Sequence, residues 1–495
     1  MTRSGTLLPY AFARRNGVIA LPGEEAAQVF VREGADPMSL LEVRRASRGP
    51  LAVSMLDAAA FEARLSEHYS AGDLGIEDAE AAGLAGGLSD LLGDMPAIAD
   101  LLDTNDDAPI IRLINGLIAE AARLGASDIH IEPYETHLVV RLRTDGVLRE
   151  AARLTARLGP LLVSRVKVMA RLDIAERRLP QDGRISLTLG GRALDVRVST
   201  LPSRVGERVV MRLLDRDKAG LGLDDLGMPT AIRDAFEASL ADPNGIVLVT
   251  GPTGSGKTTT LYAGLRRLND GARSILTIED PVEYAVDGVG QTQVNTKVGL
   301  TFAAGLRAIL RQDPDIVLVG EVRDSETAQI AVQASLTGHL VLSTVHTNDA
   351  IGAVTRLRDM GVEPFLLAST LRMVLAQRLV RRLCPSCRRC EPVGAAVGRL
   401  IGLAEDAPVW RAGGCAKCGH TGFIGRTGVY EAVRIDETMR QLIGANATET
   451  EMAVHAFADS ARLSDSARVL VTEGVTSPEE AARLMRREAD AHADV

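Results

Sequence analysis

Short, almost wholly apolar runs separated by helical stripes dominate the second half of the chain. Ile246 to Thr250, Ser274 to Ile278, Ile316 to Val319 and Leu340 to Val345 have the pattern of strands covered on both faces. Leu261, Leu265 and Leu268 recur at helical spacing after the first of them, so the rhythm predicts a parallel sheet flanked by helices. Upstream the period changes. A helical stripe over about Ile110 to Leu124 gives way to the alternating strand Leu138 to Arg143, an Asp145-Gly146 turn and a return strand. A second hairpin pairs Ile185–Leu189 with Leu194–Val198 across Gly190-Gly191. Alternation puts Arg141, Arg143 and Arg197 on the face opposite the apolar one. Residues 1 to about 100 are rich in Ala, Leu and Glu at helical spacing, and the acidic, Gly-rich stretch Gly83 to Asp107 reads as a linker. The pattern predicts an α/β multidomain protein: an N-terminal domain over 1–100, a middle domain over 108–217, a linker over 218–228 and a C-terminal domain over 229–495.

Composition supports several cores. A chain of 495 residues that is 46% apolar and 24% charged is globular and long enough for two to four domains. Its 56 basic against 65 acidic side chains give a net charge of -9, which excludes a surface wholly built to grip nucleic acid or anionic lipid. No stretch of 18 apolar residues occurs, and the start, with Pro9 followed by Arg14 and Arg15, lacks a signal-peptide core. The chain is therefore expected to be soluble and made in the cytoplasm, where its five cysteines serve as thiols or metal ligands.

The first predicted strand of the C-terminal domain runs into Gly251-Pro252-Thr253-Gly254-Ser255-Gly256-Lys257-Thr258, with Thr259 next, and a helical stripe follows. This is a phosphate loop in its proper strand-to-helix context. Glycines let backbone N–H groups turn toward phosphates, Lys257 supplies charge and the Thr258 hydroxyl suits Mg2+, which makes ATP and magnesium the expected ligands. Glu321 stands just past the strand Ile316–Val319, where open parallel sheets place catalytic groups, and is the candidate general base. Glu279-Asp280-Pro281-Val282-Glu283 follows another strand and offers carboxylates to Mg2+ and its water shell, although such a segment is also an ordinary acidic turn. His339 and His346 flank the Leu340–Val345 strand and could sense a γ-phosphate. Arg307 and Arg311 share a face of the helix Phe302–Arg311, either in surface salt bridges or near phosphate.

Cys384-Pro-Ser-Cys387 and Cys415-Ala-Lys-Cys418 are paired knuckles that predict one closed, structural Zn2+ site. Cys390 and His420 compete for a ligand position, and the excursion over 384–418 is expected to have little core of its own.

In order, the phosphate loop, the carboxylate segment, the Glu321 strand, the Thr337–Asn348 segment and the paired cysteines resemble the type II secretion ATPases. Supporting stretches are Ala126-Ser-Asp-Ile-His-Ile-Glu-Pro133, Arg178-Leu-Pro-Gln-Asp-Gly-Arg184, Val198-Ser-Thr-Leu-Pro202, Gly206–Leu214 and Gly425-Arg-Thr-Gly-Val-Tyr-Glu431. The resemblance is dense over 108 to about 432. It implies a RecA-like P-loop motor domain, a PAS-like α/β middle domain and a helical N-terminal domain docking on a bitopic protein of the inner-membrane platform. It also implies a homohexamer, peripheral on the cytoplasmic face of the bacterial inner membrane, that hydrolyses ATP to drive pseudopilus assembly. By motif position, Arg197 and Arg212 of the middle domain and Arg307 and Arg311 of the motor would reach nucleotide phosphates within or between subunits; His346, Glu279 and Glu283 would join Glu321 and Lys257. Anionic phospholipid is a candidate partner. A type IV pilus assembly ATPase would share every motif but tends to have a longer N-terminal region. A nucleic-acid translocase or zinc-ribbon binding protein would need a basic, aromatic-studded groove, at odds with the net charge and with 3% aromatic residues.

Overall fold

Two sheets of opposite character organise the chain, each following the period of its sequence. The computed structural model describes residues 7–8, 10–23, 26–47, 49–58, 60–61, 64–65, 108–189, 192–215 and 220–493. They fall into two units, Met1–Asp217 and Lys218–Val495. The predicted linker Gly83 to Asp107, the Gly190-Gly191 turn and the first residues of the 218–228 segment lie outside the described residues. No helix among the described residues is long and apolar enough to cross a membrane.

The first unit starts with a helix Tyr10–Asn16, strands β1 (Val18–Leu21) and β2 (Ala27–Arg32), a helix Ser39–Ala46 and strand β3 (Leu51–Leu56). Here the helical expectation for the N-terminal region is corrected: the described part is a three-stranded sheet with helices, β1 antiparallel and β3 parallel to β2. Its physical cause is the alternation Ala27-Gln-Val-Phe-Val-Arg32, whose β-branched Val29 and Val31 are both buried on one face.

A helix Ala108–Arg123 leads into β4 (Asp128–Pro133), β5 (His137–Thr144), β6 (Val147–Thr155), a helix Gly159–Met169, β7 (Gln181–Leu189), β8 (Arg192–Ser203) and β9 (Gly206–Asp215). These strands form an antiparallel sheet in the order β6-β5-β4-β9-β8-β7. Ile129, Ile131, Val196, Val198, Val209 and Met211 pack one face against Leu117 and Val166 of the two helices. Asp145 and Gly146 take φ of 50° and 82° at the predicted hairpin turn. Phe61 and Leu65 of the N-terminal part share a small core with Val168 and Ile174.

In the second unit a helix Thr230–Leu240 precedes β10 (Gly245–Thr250), a helix Lys257–Leu268, β11 (Ile275–Glu279), β12 (Gly290–Gln293), a helix Phe302–Ile309, β13 (Ile316–Val319), a helix Ser325–Leu336 and β14 (Leu340–Val345). Helices Ala350–Asp359 and Pro364–Thr370 lead to β15 (Leu371–Leu383), a small hairpin of β16 (Arg389–Pro392) and β17 (Pro408–Arg411) with the helix Ala395–Ile401 between them, and β18 (Phe423–Arg434). Four helices, Glu437–Gly444, Glu449–Ala456, Leu463–Thr472 and Pro478–Ala493, complete the unit. The large sheet has the order β12-β11-β13-β14-β10-β15-β18 and is parallel except for β18. The four predicted strands are β10, β11, β13 and β14. Their unbroken apolar character is explained by two cores: Ile246, Leu248 and Val341 face one, while Val247, Val249 and Leu342 face the other. Within the segment expected as a linker, Leu223 is buried in the second of these cores and the Tyr430 hydroxyl donates to the Leu226 carbonyl at 3.0 Å.

Candidate functional site

The loop after β10 is shaped by what lies beneath it. At Gly251, φ is +140° and a Cβ would meet the Gln377 carbonyl oxygen at 2.3 Å; at Gly256, φ is +91° and a Cβ would meet Gln377 Nε2 at 2.8 Å. Neither position admits a side chain. The next helix opens at Lys257, so its first backbone N–H groups face the loop. Lys257 is buried and folds back, its Nζ donating to the carbonyls of Gly251 at 2.8 Å and Pro252 at 3.2 Å. Burial pushes its pKa down to about 8, with the Arg378 charge acting in the same sense and Glu321 against it. The Ser255 hydroxyl is buried without a hydrogen-bond partner, while Thr253, Gly254 and Thr258 are exposed and Pro252 and Thr259 half-buried. A helix N-terminus, an orphan hydroxyl and an ammonium held by carbonyls form a cradle that fits a phosphate group.

Glu321 follows β13 and is joined to that cradle through His346. His346 Nε2 lies 3.2 Å from Glu321 Oε2, and its Nδ1 lies 3.5 Å from Lys257 Nζ. An imidazole protonated on Nε2 satisfies both contacts, donating to the carboxylate and accepting from the ammonium. Arg323 pairs with the other Glu321 oxygen. The loop bearing His346 is fastened to β10, since the Thr347 N–H donates to Thr250 Oγ1 at 3.0 Å. His339 sits at the opposite end of β14, where its Nδ1 is 2.8 Å from the Ala334 carbonyl.

The other predicted residues are placed elsewhere. Glu279 ends β11 but is buried, with the Tyr262 hydroxyl donating to one oxygen and Thr277 Oγ1 at 2.5 Å and Gln291 Nε2 at 3.3 Å to the other. Tyr262 is held far above its ordinary pKa by burial and then by the Glu279 charge. Asp280 is exposed and Glu283 half-buried. Arg307 pairs with Glu326 of the next helix, and Arg311 Nη1 donates to the Arg307 carbonyl at 2.9 Å. In the first unit, Arg197 and Arg212 are cross-strand partners on β8 and β9. Two like charges in register repel. The buried Asp128 offsets this, taking a hydrogen bond from Arg212 Nε at 2.8 Å and lying 3.5 Å from Arg143 Nε.

Sequence reasoning missed Gln377 and Arg378 on β15. Gln377 Oε1 accepts from Thr260 Oγ1 at 2.7 Å, and Arg378 Nη2 donates to both the carbonyl and Oδ1 of Asn348 at 3.1 Å. Two polar side chains inside the apolar run Leu371–Leu383 were the available signal, because a buried polar pair must have partners.

Beyond β15 the four cysteines converge. All four sulfurs of Cys384, Cys387, Cys415 and Cys418 lie within 4.8 Å of one another, with pairs at 3.9, 3.8 and 3.8 Å. A tetrahedron of thiolates about 2.3 Å from zinc has edges of about 3.8 Å, so the donor set fits Zn2+. Backbone N–H groups support the thiolates: Gly414 donates to Cys387 Sγ, and Cys415 and Gly422 donate to Cys418 Sγ, each at 3.2 Å. Burial opposes ionisation of Cys418, yet those two donors and the neighbouring thiols hold it down at about 6. Cys390 is exposed on β16 opposite Trp410, and His420 is exposed; neither belongs to the cluster. The expectation that this excursion has little core is corrected, because Val393, Ile401 and Val409 are buried in the core shared with the C-terminal helices.

A family model described as type II/IV secretion system protein matches residues 103–483, and one for an N-terminal domain of GSPII protein E matches residues 7–69. The chain is 54% identical over 491 residues to type II secretion system protein E of Aeromonas hydrophila, covering 97% of each. It is 52% identical over 493 residues to type II secretion system ATPase E of Vibrio cholerae serotype O1, covering 97% of this chain and 96% of that one. Among solved structures, the pilus retraction motor PilT with bound ADP superposes with a TM-score of 0.53 at 27% identity, over 74% of this chain and 95% of that one.

Proposed function

The chain belongs to the type II/IV secretion system protein family, and from that membership we propose that it is the ATP-hydrolysing motor of type II protein secretion, driving pseudopilus assembly from the cytoplasmic face of the inner membrane. The observation that carries the reading is the line from Lys257 through His346 to Glu321 beside the phosphate loop.

In this reading the backbone N–H groups of 254–258 and Lys257 gather the phosphate charge of ATP, and binding releases Lys257 from the carbonyls that now hold it. Glu321 orients the attacking water and accepts its proton, while His346 keeps that carboxylate in place and registers the γ-phosphate. Mg2+ would be held by Thr258, with Asp280 and Glu283 meeting its water shell and Glu279 fixing the start of that segment from within, and it would neutralise charge between the terminal phosphates. Arg197 and Arg212 supply cations from the first unit, and Arg307 and Arg311 from the motor, within a homohexamer. The four thiolates hold a structural Zn2+. The N-terminal part docks on a bitopic platform protein, and anionic phospholipid assists; nucleic acid has no part.

Hydrolysis by the purified full chain tests this, assayed alone, with anionic vesicles and with single-stranded DNA. Mg2+-dependent turnover whose specific activity rises with protein concentration is expected, as is a lipid response without a DNA response. Arg212→Ala should still bind nucleotide but hydrolyse it slowly. Stimulation by DNA alone, or metal-independent turnover, overturns the reading.

A further inference from the structure

Glu431 is a buried carboxylate that the chemistry above leaves unused. It lies on β18, 4% exposed, at the end of Gly425-Arg-Thr-Gly-Val-Tyr-Glu431. Its Oε1 accepts from the Ala350 backbone N–H at 3.0 Å and its Oε2 from that of Leu463 at 3.1 Å. Each donor is the first residue of a helix, Ala350–Asp359 or Leu463–Thr472. One carboxylate thus answers two N–H groups that have no partner within their helices, and two positive helix ends. Burial raises the pKa of this group while the two N–H donors work against that shift.

Ala350 stands four residues past His346, and the residues between are fastened from other strands. The hydroxyls of Thr347 and Thr250 are 2.7 Å apart, tying the loop to β10, and Arg378 on β15 donates to Asn348 at 3.1 Å. The third fastening, from β18, is Glu431. From these contacts we propose that Glu431 is a positioning residue: it fixes the start of the helix Ala350–Asp359, and with it the 346–349 loop, so that His346 stays between Lys257 and Glu321. This rests on the reading of Lys257, His346 and Glu321 as the hydrolytic site. A consequence follows from the second oxygen. The helix Leu463–Thr472 is followed by Gly474 and Val475, whose carbonyls accept from Arg388 Nη1 at 2.6 Å and the Leu383 N–H at 2.8 Å, beside the cysteine cluster. Displacement of that C-terminal helix therefore reaches His346 through one side chain.

The test is a double-mutant cycle in the full chain with Glu431→Gln, His346→Ala and both together, measuring kcat, KM for ATP and Tm. Glutamine keeps the shape but turns an amide NH2 toward one of the N–H donors. Glu431→Gln should lower kcat roughly tenfold with KM changed by less than about twofold, and the double variant should be no slower than His346→Ala alone. Ala350→Pro removes the same hydrogen bond at a first helical position, which suits proline, and should reproduce the kcat loss even if Glu431→Gln does not fold. Multiplicative losses in the double variant, or unchanged kcat in both Glu431→Gln and Ala350→Pro, overturn the proposal alone. His346→Ala turning over at the parental rate overturns the reading of the site, and this proposal with it.

Discussion

The phosphate loop and the cysteine knuckle both grow from the ends of adjacent strands, β10 and β15, yet they are ordered by different means. The loop is contiguous, and its path is dictated by backbone: Gly251 and Gly256 approach Gln377 too closely for any side chain, and β10 is buried along its whole length. The knuckle gathers four side chains from two turns separated by residues 388–414, and its shape depends on something to bridge the sulfurs. A site made of neighbours in sequence is prepared by local geometry before any ligand arrives. A site made of distant side chains is completed by what it binds.

Removing the metal should separate the two most sharply. Zinc-finger peptides gain roughly 10 to 16 kcal/mol on binding zinc near neutral pH, so chelation or Cys415→Ser should expose 388–414 to protease. Because Val393, Ile401 and Val409 remain in the motor core, nucleotide binding should persist. Metal analysis of the purified chain should give about one zinc per chain, and a metal-free chain equally resistant to protease would end the distinction.

Next in size is the loss of a single group at the phosphate loop. Lys257→Ala and Glu321→Gln should each turn over about 100-fold more slowly or worse, because one gathers phosphate charge and the other orients water. Glu321→Gln should still bind ATP. Parental turnover in either variant would show that the prepared loop is not where hydrolysis occurs.

A smaller effect comes from pH. Lys257 is depressed from 10.5 to about 8 in the folded protein, so between those values the unfolded chain binds a proton that the folded chain does not. Stability of the nucleotide-free protein from this group therefore rises as pH climbs from about 8 toward 10.5, and at lower pH the buried ammonium is a cost. Phosphate needs the ammonium. ATP affinity should accordingly fall above pH 8, approaching about tenfold per unit, whereas Lys257→Arg should stay flat. Equal affinities at pH 7.5 and 9.5 in the parental chain would refute the coupling. Smallest of all, Cys390→Ser should alter neither zinc content nor Tm, since Cys390 stands on β16 outside the cluster.

Legibility followed the same division. β10, β11, β13 and β14 were visible as unbroken apolar runs, whereas β15 and β18 were hidden by arginines and glycines that a strand tolerates when its side chains find partners across the sheet. The short β2 was hidden by its Ala- and Leu-rich surroundings despite a clean alternation.

By itself, the sequence determined the parallel sheet, the phosphate loop, the position of Glu321 past its strand and the two cysteine pairs, because each depends on residues within one turn or one strand of each other. Tertiary packing alone decided that Glu279 faces Tyr262 in the interior, that Arg307 meets Glu326 and that Cys390 is excluded from the sulfur cluster. It also decided that His346 is held from three strands, with Glu431 serving two helix ends. Those choices set partners far apart in the chain against one another, and a side chain's hydrogen-bond partner is fixed only when the segments carrying both have packed.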